Sequence, residues 1–425
     1  MNLRKRVTNV QNVYHEFPRP FWVLILATFI DSMGGFLIFP FLSLYITQRF
    51  DVGLTEVGII FGIFAIASVF GSLGGGALSD RFGRKPMLIF GLVASGLSSL
   101  IMGFLDNLTL FYLLAGLVGL LSNVGGPARQ AMVADLLPEE KQAEGFGLMR
   151  VVLNISAAIG PALGGLLASQ SFLALFILDA ISSLITAVVV YVALPETRPE
   201  TVVDADDAGL NAESSIGYSK VMRDYAFMAF VFFSILIVSI YIQMNSTLPV
   251  YLRDFHDVSA QGYGILLSIN ALMVVFLQFW ITRRISPYSA FRMVALGAAL
   301  YGVGFFMFGV VSSYFAFILA IVVLTFGEMI SAPTSQALAA RFSPEDMRGR
   351  YMAVFGLGWS LPTAFVPLLA GIIMDNYNPN LVWYLCGMLG VVSVAGMLLL
   401  EARTRDRIAL GDEPVGVETT PEFET

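Results

Sequence analysis

Three acidic residues stand inside long apolar runs: Asp31, Asp179 and Glu328. An ionised side chain at mid-membrane depth costs at least about 2.5 kcal/mol on insertion scales, so such residues are rare and mark sites that move protons or ions. Asp31 and Glu328 lie midway along their runs, with no cation expected at comparable depth. Desolvation there disfavours the anion, and a carboxyl group that gains and loses a proton suits either proton carriage or the binding of a cationic cargo. Asp179 is a further candidate for the same task, but it lies nearer the end of its run, where the alternative is that it simply reaches water. Uncharged polar groups share this depth, among them Asn123, Asn270, Gln243, Asn245 and Gln278. Asn123 and Asn270 are candidates to orient a substrate, although amides in such positions also hold helices together. Trp280, Trp359 and Trp383 fall within or near the runs and could contribute an apolar wall.

Other chemistry is not supported by the residue types. The single cysteine, Cys386, cannot form an internal disulfide, and His15 and His256 belong to no cluster with metal-ligand spacing. No Ser/His or Cys/His constellation argues for an enzyme, and no metal or cofactor is expected.

The elements that carry these acids follow from composition. Of 425 residues, 57% are hydrophobic and 13% charged, against roughly 25% charged in a soluble domain. A membrane span needs about 20 apolar residues. The first run extends from Phe21 to about Ile46, too long for a signal peptide and interrupted by Asp31. Eleven more follow, at about 57–79, 86–105, 109–133, 147–169, 172–194, 226–250, 260–282, 292–311, 314–339, 351–374 and 380–400. The expected fold is an all-α membrane protein of twelve transmembrane helices. Only Arg49 and Arg253 fall on one side of this arrangement, and by the positive-inside tendency that side is the outer one, with both termini cytoplasmic.

A repeat divides the helices. At an offset of 206 residues, Tyr45, Asp51, Val52, Gly58 and Ile59 fall on Tyr251, Asp257, Val258, Gly264 and Ile265. Pro127, Gln130, Pro138, Glu139, Pro161 and Gly165 fall on Pro333, Gln336, Pro344, Glu345, Pro367 and Gly371 at the same offset. Two six-helix bundles related by a pseudo-two-fold axis are therefore expected, with a substrate site between them. Residues 1–194 form the N-terminal bundle, 195–225 a cytoplasmic linker, 226–400 the C-terminal bundle and 401–425 a cytoplasmic tail. The net charge of -7 resides largely in linker and tail acids, including Glu196, Asp224 and Glu401, which read as solvated and imply no nucleic-acid partner. The linker is expected to be flexible.

Between the second and third runs lies Gly76-Ala-Leu-Ser-Asp80-Arg81-Phe-Gly83-Arg84-Lys85-Pro86. Its charges and turn-making glycine place it in a loop at the membrane surface. In this position it resembles the loop signature of the major facilitator superfamily, matched at Gly76, Leu78, Asp80, Arg81, Gly83, Arg84 and Lys85. The copy at Arg283-Arg284-Ile285-Ser286 lacks the aspartate. The fifth run carries Gly147, Ser156 and Gly160-Pro161-x-x-Gly164-Gly165, which presents flat patches for close helix packing. It resembles the fifth-span signature of the superfamily's exporters, with Ser156 where glycine is usual.

The resemblance implies a secondary transporter working by alternating access, with the first loop as a conformational switch. It also implies a charge network of Asp80, Arg129, Asp135 and Arg150 at the inner ends of spans two, four and five. The expected function is proton-coupled efflux of small apolar or cationic compounds, resembling the twelve-span drug antiporters. The alternative is an importer or facilitator of a small metabolite on the same fold. The expected partners are the lipid bilayer, protons and a small-molecule substrate, with the monomer as the working unit. Span four departs from the drug-antiporter pattern, having Ala115 where many carry an outer-half arginine.

Overall fold

Hydrocarbon offers no partner for a backbone N–H or C=O, so apolar runs of this length must satisfy their hydrogen bonds internally, as helices. The computed structural model describes residues 16–198, 212–344 and 347–409, and among these it contains twelve helices long and apolar enough to cross a membrane. They are Arg19–Phe50, Leu54–Phe82, Arg84–Phe104, Leu108–Leu136, Glu139–Ala168, Phe172–Ala193, Tyr225–Ser246, Ala260–Ile285, Ala290–Phe308, Tyr314–Phe342, Arg348–Asn376 and Asn380–Thr404, spans one to twelve. His15, linker acids Glu200, Asp204, Asp206 and Asp207, repeat position Glu345 and most of the acidic tail lie outside the described residues.

The chain's short polar residues start several spans. The side chains of Asn107, Ser259 and Ser313 accept from the backbone N–H groups of Leu110, Gly262 and Ala316 at 3.0, 3.2 and 3.3 Å, filling the unpaired donors of a helix N-terminus. Between spans two and three, Gly83 takes φ +104, open only to a residue without a side chain; the rest of Gly76–Pro86, expected as a loop, is helical, since span two runs on to Phe82 and span three starts at Arg84. Two spans deviate from simple rods. Span one passes through a 3-10 turn, Phe39–Phe41, around Pro40. Span four divides at Asn123 into Leu108–Ser122 and Gly125–Leu136; its repeat, span ten, runs unbroken although it keeps the equivalent proline, Pro333.

The repeat is realised atom by atom. Tyr45 donates its hydroxyl to the Met102 carbonyl and Tyr251 donates to the Phe308 carbonyl, both at 3.0 Å and both at equivalent positions. Asp51 and Asp257, the only non-glycine residues with positive φ among those described, end matching helices at φ 52 and 54. Spans one with six, three with six, two with four and one with five pack in the first half; seven with twelve, nine with twelve, eight with ten and seven with eleven pack in the second. Between the halves, span two lies along span eleven and span five along span eight. The fold is thus two six-helix bundles of parallel repeats.

Part of the linker departs from the expectation of a flexible, solvated tether. Ala212–Arg223 is helical. Asp224 caps span seven by accepting from the Phe227 N–H at 3.2 Å, and the Tyr351 hydroxyl donates to it at 2.9 Å. Glu401 pairs with Arg292. Glu196 accepts from the backbone N–H groups of Arg84 and Lys85 at 2.8 and 3.2 Å, capping span three, while Arg198 donates to the Arg81 carbonyl at 2.8 Å. Asp224 and Glu196 thus fill open backbone donors at the starts of spans seven and three, while Glu401 forms an ion pair.

Candidate functional site

The bundles meet tightly at one end only. A Cβ added at Gly58 would lie 2.3 Å from the Leu368 Cα; at Gly371, 2.4 Å from the Leu54 carbonyl oxygen; at Gly165, 2.7 Å from the Ala260 oxygen; at Gly264, 2.5 Å from the Pro161 oxygen. These four glycines form two repeat pairs, 58 with 264 and 165 with 371, so the close approach of span two to eleven is repeated by span five to eight. The Pro367–Gly371 copy, a loose echo of Gly160–Gly165 in sequence, makes the equivalent contact. Gly160 and Gly164 instead receive Phe36 and Leu37 of span one. All of this lies in the halves of the helices nearest Arg49 and Asp51. Toward the Asp80 end, a Cβ at Gly74, Gly76, Gly147, Gly349 or Gly356 would meet nothing within 4 Å. The molecule is sealed at the Arg49 face and parted at the Asp80 face.

A carboxylate fastens the seal. Asp375, at the end of span eleven, accepts from the backbone N–H groups of Leu54 and Thr55 at 3.0 and 2.7 Å, where span two has no side-chain cap of its own. It caps the helix of the other bundle, at the positive end of its dipole. Its repeat counterpart is Ser169, so the latch is single. Nearby, Arg253 donates to the Thr47 hydroxyl at 2.9 Å, joining two positions related by the repeat itself. Replacement of Asp375 by asparagine keeps an acceptor but removes the charge, worth about 1 kcal/mol, or about a fivefold population shift. Hydrogen exchange at the span-two N-terminal amides is expected to quicken by about that factor in Asp375→Asn; unchanged exchange would show that the latch does not hold the face shut.

Behind the seal lies a cavity of about 470 Å³, lined by Phe36, Phe61, Asn154, Asn245, Asn270, Glu328 and Trp359 among others. It continues toward the Asp80 face through a space of about 610 Å³ that shares Asn154, Tyr241, Glu328 and Trp359. Glu328 is half-buried in span ten. Asn270 of span eight donates to its Oε2 at 2.8 Å and to the Thr325 hydroxyl at 2.9 Å, and Thr325 donates in turn to the Ile321 carbonyl. That chain fixes the carboxylate's direction, and among the described residues no cation comes within ion-pairing distance of it. Tyr241 meets Trp359 and Tyr301 edge to face, with ring centroids 5.6 and 6.1 Å apart. An unpaired carboxylate beside aromatic rings is a good receptor for a monovalent cation.

Asp31 proves different from Glu328. The expectation of no cation at its depth is overturned: Arg129 donates to Asp31 Oδ2 at 2.7 Å, and the Ser183 hydroxyl to Oδ1 at 3.0 Å. Arg129 lies on the Gly125–Leu136 segment, beyond the interruption of span four at Asn123. The pair lines a space of about 740 Å³ that shares Arg150 and Gln336 with the 610 Å³ one. Asp179, for which reaching water was the alternative reading, is 9% exposed and packed against Gly34 of span one. Asn123 is spent on structure, donating to the Ser68 hydroxyl and the Gly119 carbonyl, both at 3.0 Å.

The expected inner charge network is also divided. Arg84 bridges Asp80 and, at 3.5 Å, Asp135; Arg129 turns to Asp31; Arg150 donates across the bundles to Gln336 at 3.4 Å. Asp80, in the last turn of span two, is 70% exposed and, among the described residues, pairs with Arg84 across the Gly83 turn, within its own bundle. Ser156 is fully buried with its hydroxyl unpartnered, so a small residue, not a hydroxyl, is what its position needs. Among the described residues, no group of three or more His, Cys, Asp or Glu side chains gathers to hold a metal ion.

Sequence reasoning missed Asp375 and Glu196. Both sit at run ends and look like surface acids; only the arrival of another helix's N-terminus distinguishes them.

The family profile described as Major Facilitator Superfamily matches residues 24–365 and 246–421. The chain is 29% identical over 380 residues to a "Na(+), Li(+), K(+)/H(+) antiporter" of Planococcus maritimus, covering 83% of this chain and 89% of that protein. It is 23% identical over 383 residues to the "Multidrug resistance protein MdtH" of Yersinia enterocolitica, covering 88% and 93%. In fold it is similar to a POT family transporter crystallised with 5-aminolevulinic acid, with TM-score 0.76 at 17% identity over 92% of this chain and 97% of that one. It is likewise similar to the nucleoside transporter NupG, with TM-score 0.73 at 14% identity over 90% and 99%. With its two parallel bundles and its first-loop signature, this chain belongs to the major facilitator superfamily and is a membrane transporter.

Proposed function

We propose that the protein is a proton-coupled antiporter that exports small monovalent cations, organic or inorganic, by alternating access. The observation that carries this reading is the unpaired Glu328 carboxylate, aimed by Asn270 into a cavity walled by Tyr241 and Trp359. A carboxylate held in this way can carry one positive charge at a time, either a proton or a cationic cargo. Exchange follows when each displaces the other on opposite sides of the membrane. The two named relatives, a cation/proton antiporter and a multidrug resistance protein, fit a cargo of that charge. Asp31, paired with Arg129, is a second titratable group whose protonation would free Arg129 and loosen spans one, four and six; Asp179 lies beside it.

In this reading the Asp80 face is cytoplasmic, in accord with the cation asymmetry of the loops, and the chain works as a monomer whose halves divide at the linker 195–225. The segment Gly76–Lys85 and the glycines of span five serve as switch and packing surface for the opposite state. The test is transport by purified protein in proteoliposomes with an imposed pH gradient, against Na⁺, Li⁺, K⁺, ethidium and tetraphenylphosphonium. Gradient-driven accumulation of at least one of these is expected; transport confined to neutral or anionic solutes would refute the reading.

A further inference from the structure

Two spaces lead from the parted Asp80 face toward Glu328, one of about 740 Å³ and one of about 610 Å³. They share Arg150 of span five and Gln336 of span ten, and Glu328 lines the second. Gln336 stands eight residues after Glu328, about 12 Å along the helix toward the Asp80 face. Asn154, one turn beyond Arg150 on span five, already borders the central cavity. A solute moving between the Asp80 face and Glu328 therefore passes Arg150.

The charge along this route is simple. Among the described residues, the charged side chains lining the two spaces and the central cavity are Asp31, Arg129, Arg150 and Glu328. Asp31 and Arg129 cancel one another across 2.7 Å. Arg150 is exposed and, among the described residues, forms no ion pair; it donates to the uncharged amide oxygen of Gln336 at 3.4 Å. One free guanidinium thus stands ahead of one free carboxylate. Packing does not call for the arginine: its repeat counterpart is Gly356, which lines the same space, and where an added Cβ would meet nothing within 4 Å.

Coulomb energy scales with the product of the charges, so a carboxylate acting alone in a cavity prefers the more highly charged cation. Repulsion by a fixed guanidinium follows the same law. If it lowers the occupancy of a monocation by some factor, it lowers that of a dication by the square of that factor. Arg150 therefore offsets the preference that Glu328 has for double charge, and selects by repulsion where the carboxylate cannot select by attraction.

We propose that Arg150 is a valence filter in the vestibule of the Asp80 face, passing singly charged cations to Glu328 and turning back doubly charged ones. The proposal rests on the antiport reading for the site it guards, and adds the residue that limits the cargo to one charge, the charge of the proton it replaces.

Two measurements test it on the full chain in proteoliposomes. Ethidium and propidium share a ring system and differ by one positive charge, and each dye is compared with itself across variants, so their difference in size cancels. In Arg150→Gln the half-saturating concentration for transport is expected to fall about tenfold for propidium and about threefold for ethidium, as the square law requires, while Arg150→Lys keeps the wild-type values. An equal change for both dyes, or none for either, overturns the filter. Independently, a cysteine placed by Gly356→Cys reports the field in the vestibule, since the native Cys386 is buried in span twelve. The ratio of its reaction rates with an anionic and a cationic methanethiosulfonate is expected to fall about tenfold when Arg150→Gln is added. An unchanged ratio overturns the filter whatever the transport result. If wild type moves no cation, the antiport reading fails on its own, and the cysteine ratio still decides whether Arg150 repels cations from this space.

Discussion

In Glu328→Gln, accumulation driven by a pH gradient is expected to fall by about a hundredfold, equivalent to ~2.7 kcal/mol, and binding of the cation is expected to weaken with it, while the fold and the binding of a neutral solute survive. The substitution is nearly isosteric, and the glutamine carbonyl can still accept from Asn270, so the hydrogen-bond chain to Thr325 and Ile321 keeps its shape. What disappears is the single charge that proton and cargo share. The repeat counterpart of Glu328 is Ser122, which offers no replacement. Wild-type accumulation by the variant would transfer the coupling role to the Asp31–Arg129 pair or to Asp179. Initial rates in proteoliposomes, with and without the gradient, separate these outcomes.

The sequence makes Glu328 and Asn270 visible as polar residues at equal depth, and their hydrogen bond confirms that they share a neighbourhood. It does not distinguish Glu328 from Asp31, since both are lone acids in apolar runs. The difference comes from Arg129, which by position alone belongs to the inner surface. In the structure it pairs with Asp31 instead. Span four has Asn123, Gly125 and Gly126 where the unbroken span ten has Met329, Ser331 and Ala332, helix-weakening residues that mark the interruption, but which partner Arg129 then meets depends on the neighbouring helices. The twelve spans were legible because hydrocarbon imposes length and composition on every helix that crosses it. The pairing of bundles was legible because prolines, glycines and Tyr45/Tyr251 hold register across 206 residues. Which face is shut is a property of two-state packing, and sequence specifies both states.

The glycine contacts predict the second large effect. Gly58→Val places a side chain 2.3 Å from the Leu368 Cα and 2.5 Å from its nitrogen, backbone atoms that cannot step aside. Overpacking of this kind costs about 1–3 kcal/mol, and the cost falls only on the state sealed at the Arg49 face. The population of that state is therefore expected to drop roughly tenfold or more, seen by spin-label distances lengthening across the Arg49 face and shortening across the Asp80 face. Transport should fall in proportion. Gly147→Val, where an added Cβ meets nothing within 4 Å, is expected to leave the Arg49-face distances unchanged. Equal behaviour of the two variants would mean that the glycine seams do not set the equilibrium.

The central claim is that one carboxylate exchanges a proton for a cation. Its most direct test is proton movement evoked by cargo, read with a pH-sensitive dye sealed inside proteoliposomes at zero membrane potential. Addition of a transported cation outside drives the cation inward and protons outward, so the lumen is expected to alkalinise, and the signal should vanish in Glu328→Gln. Cation flux with no accompanying pH change in the wild-type protein would contradict the account.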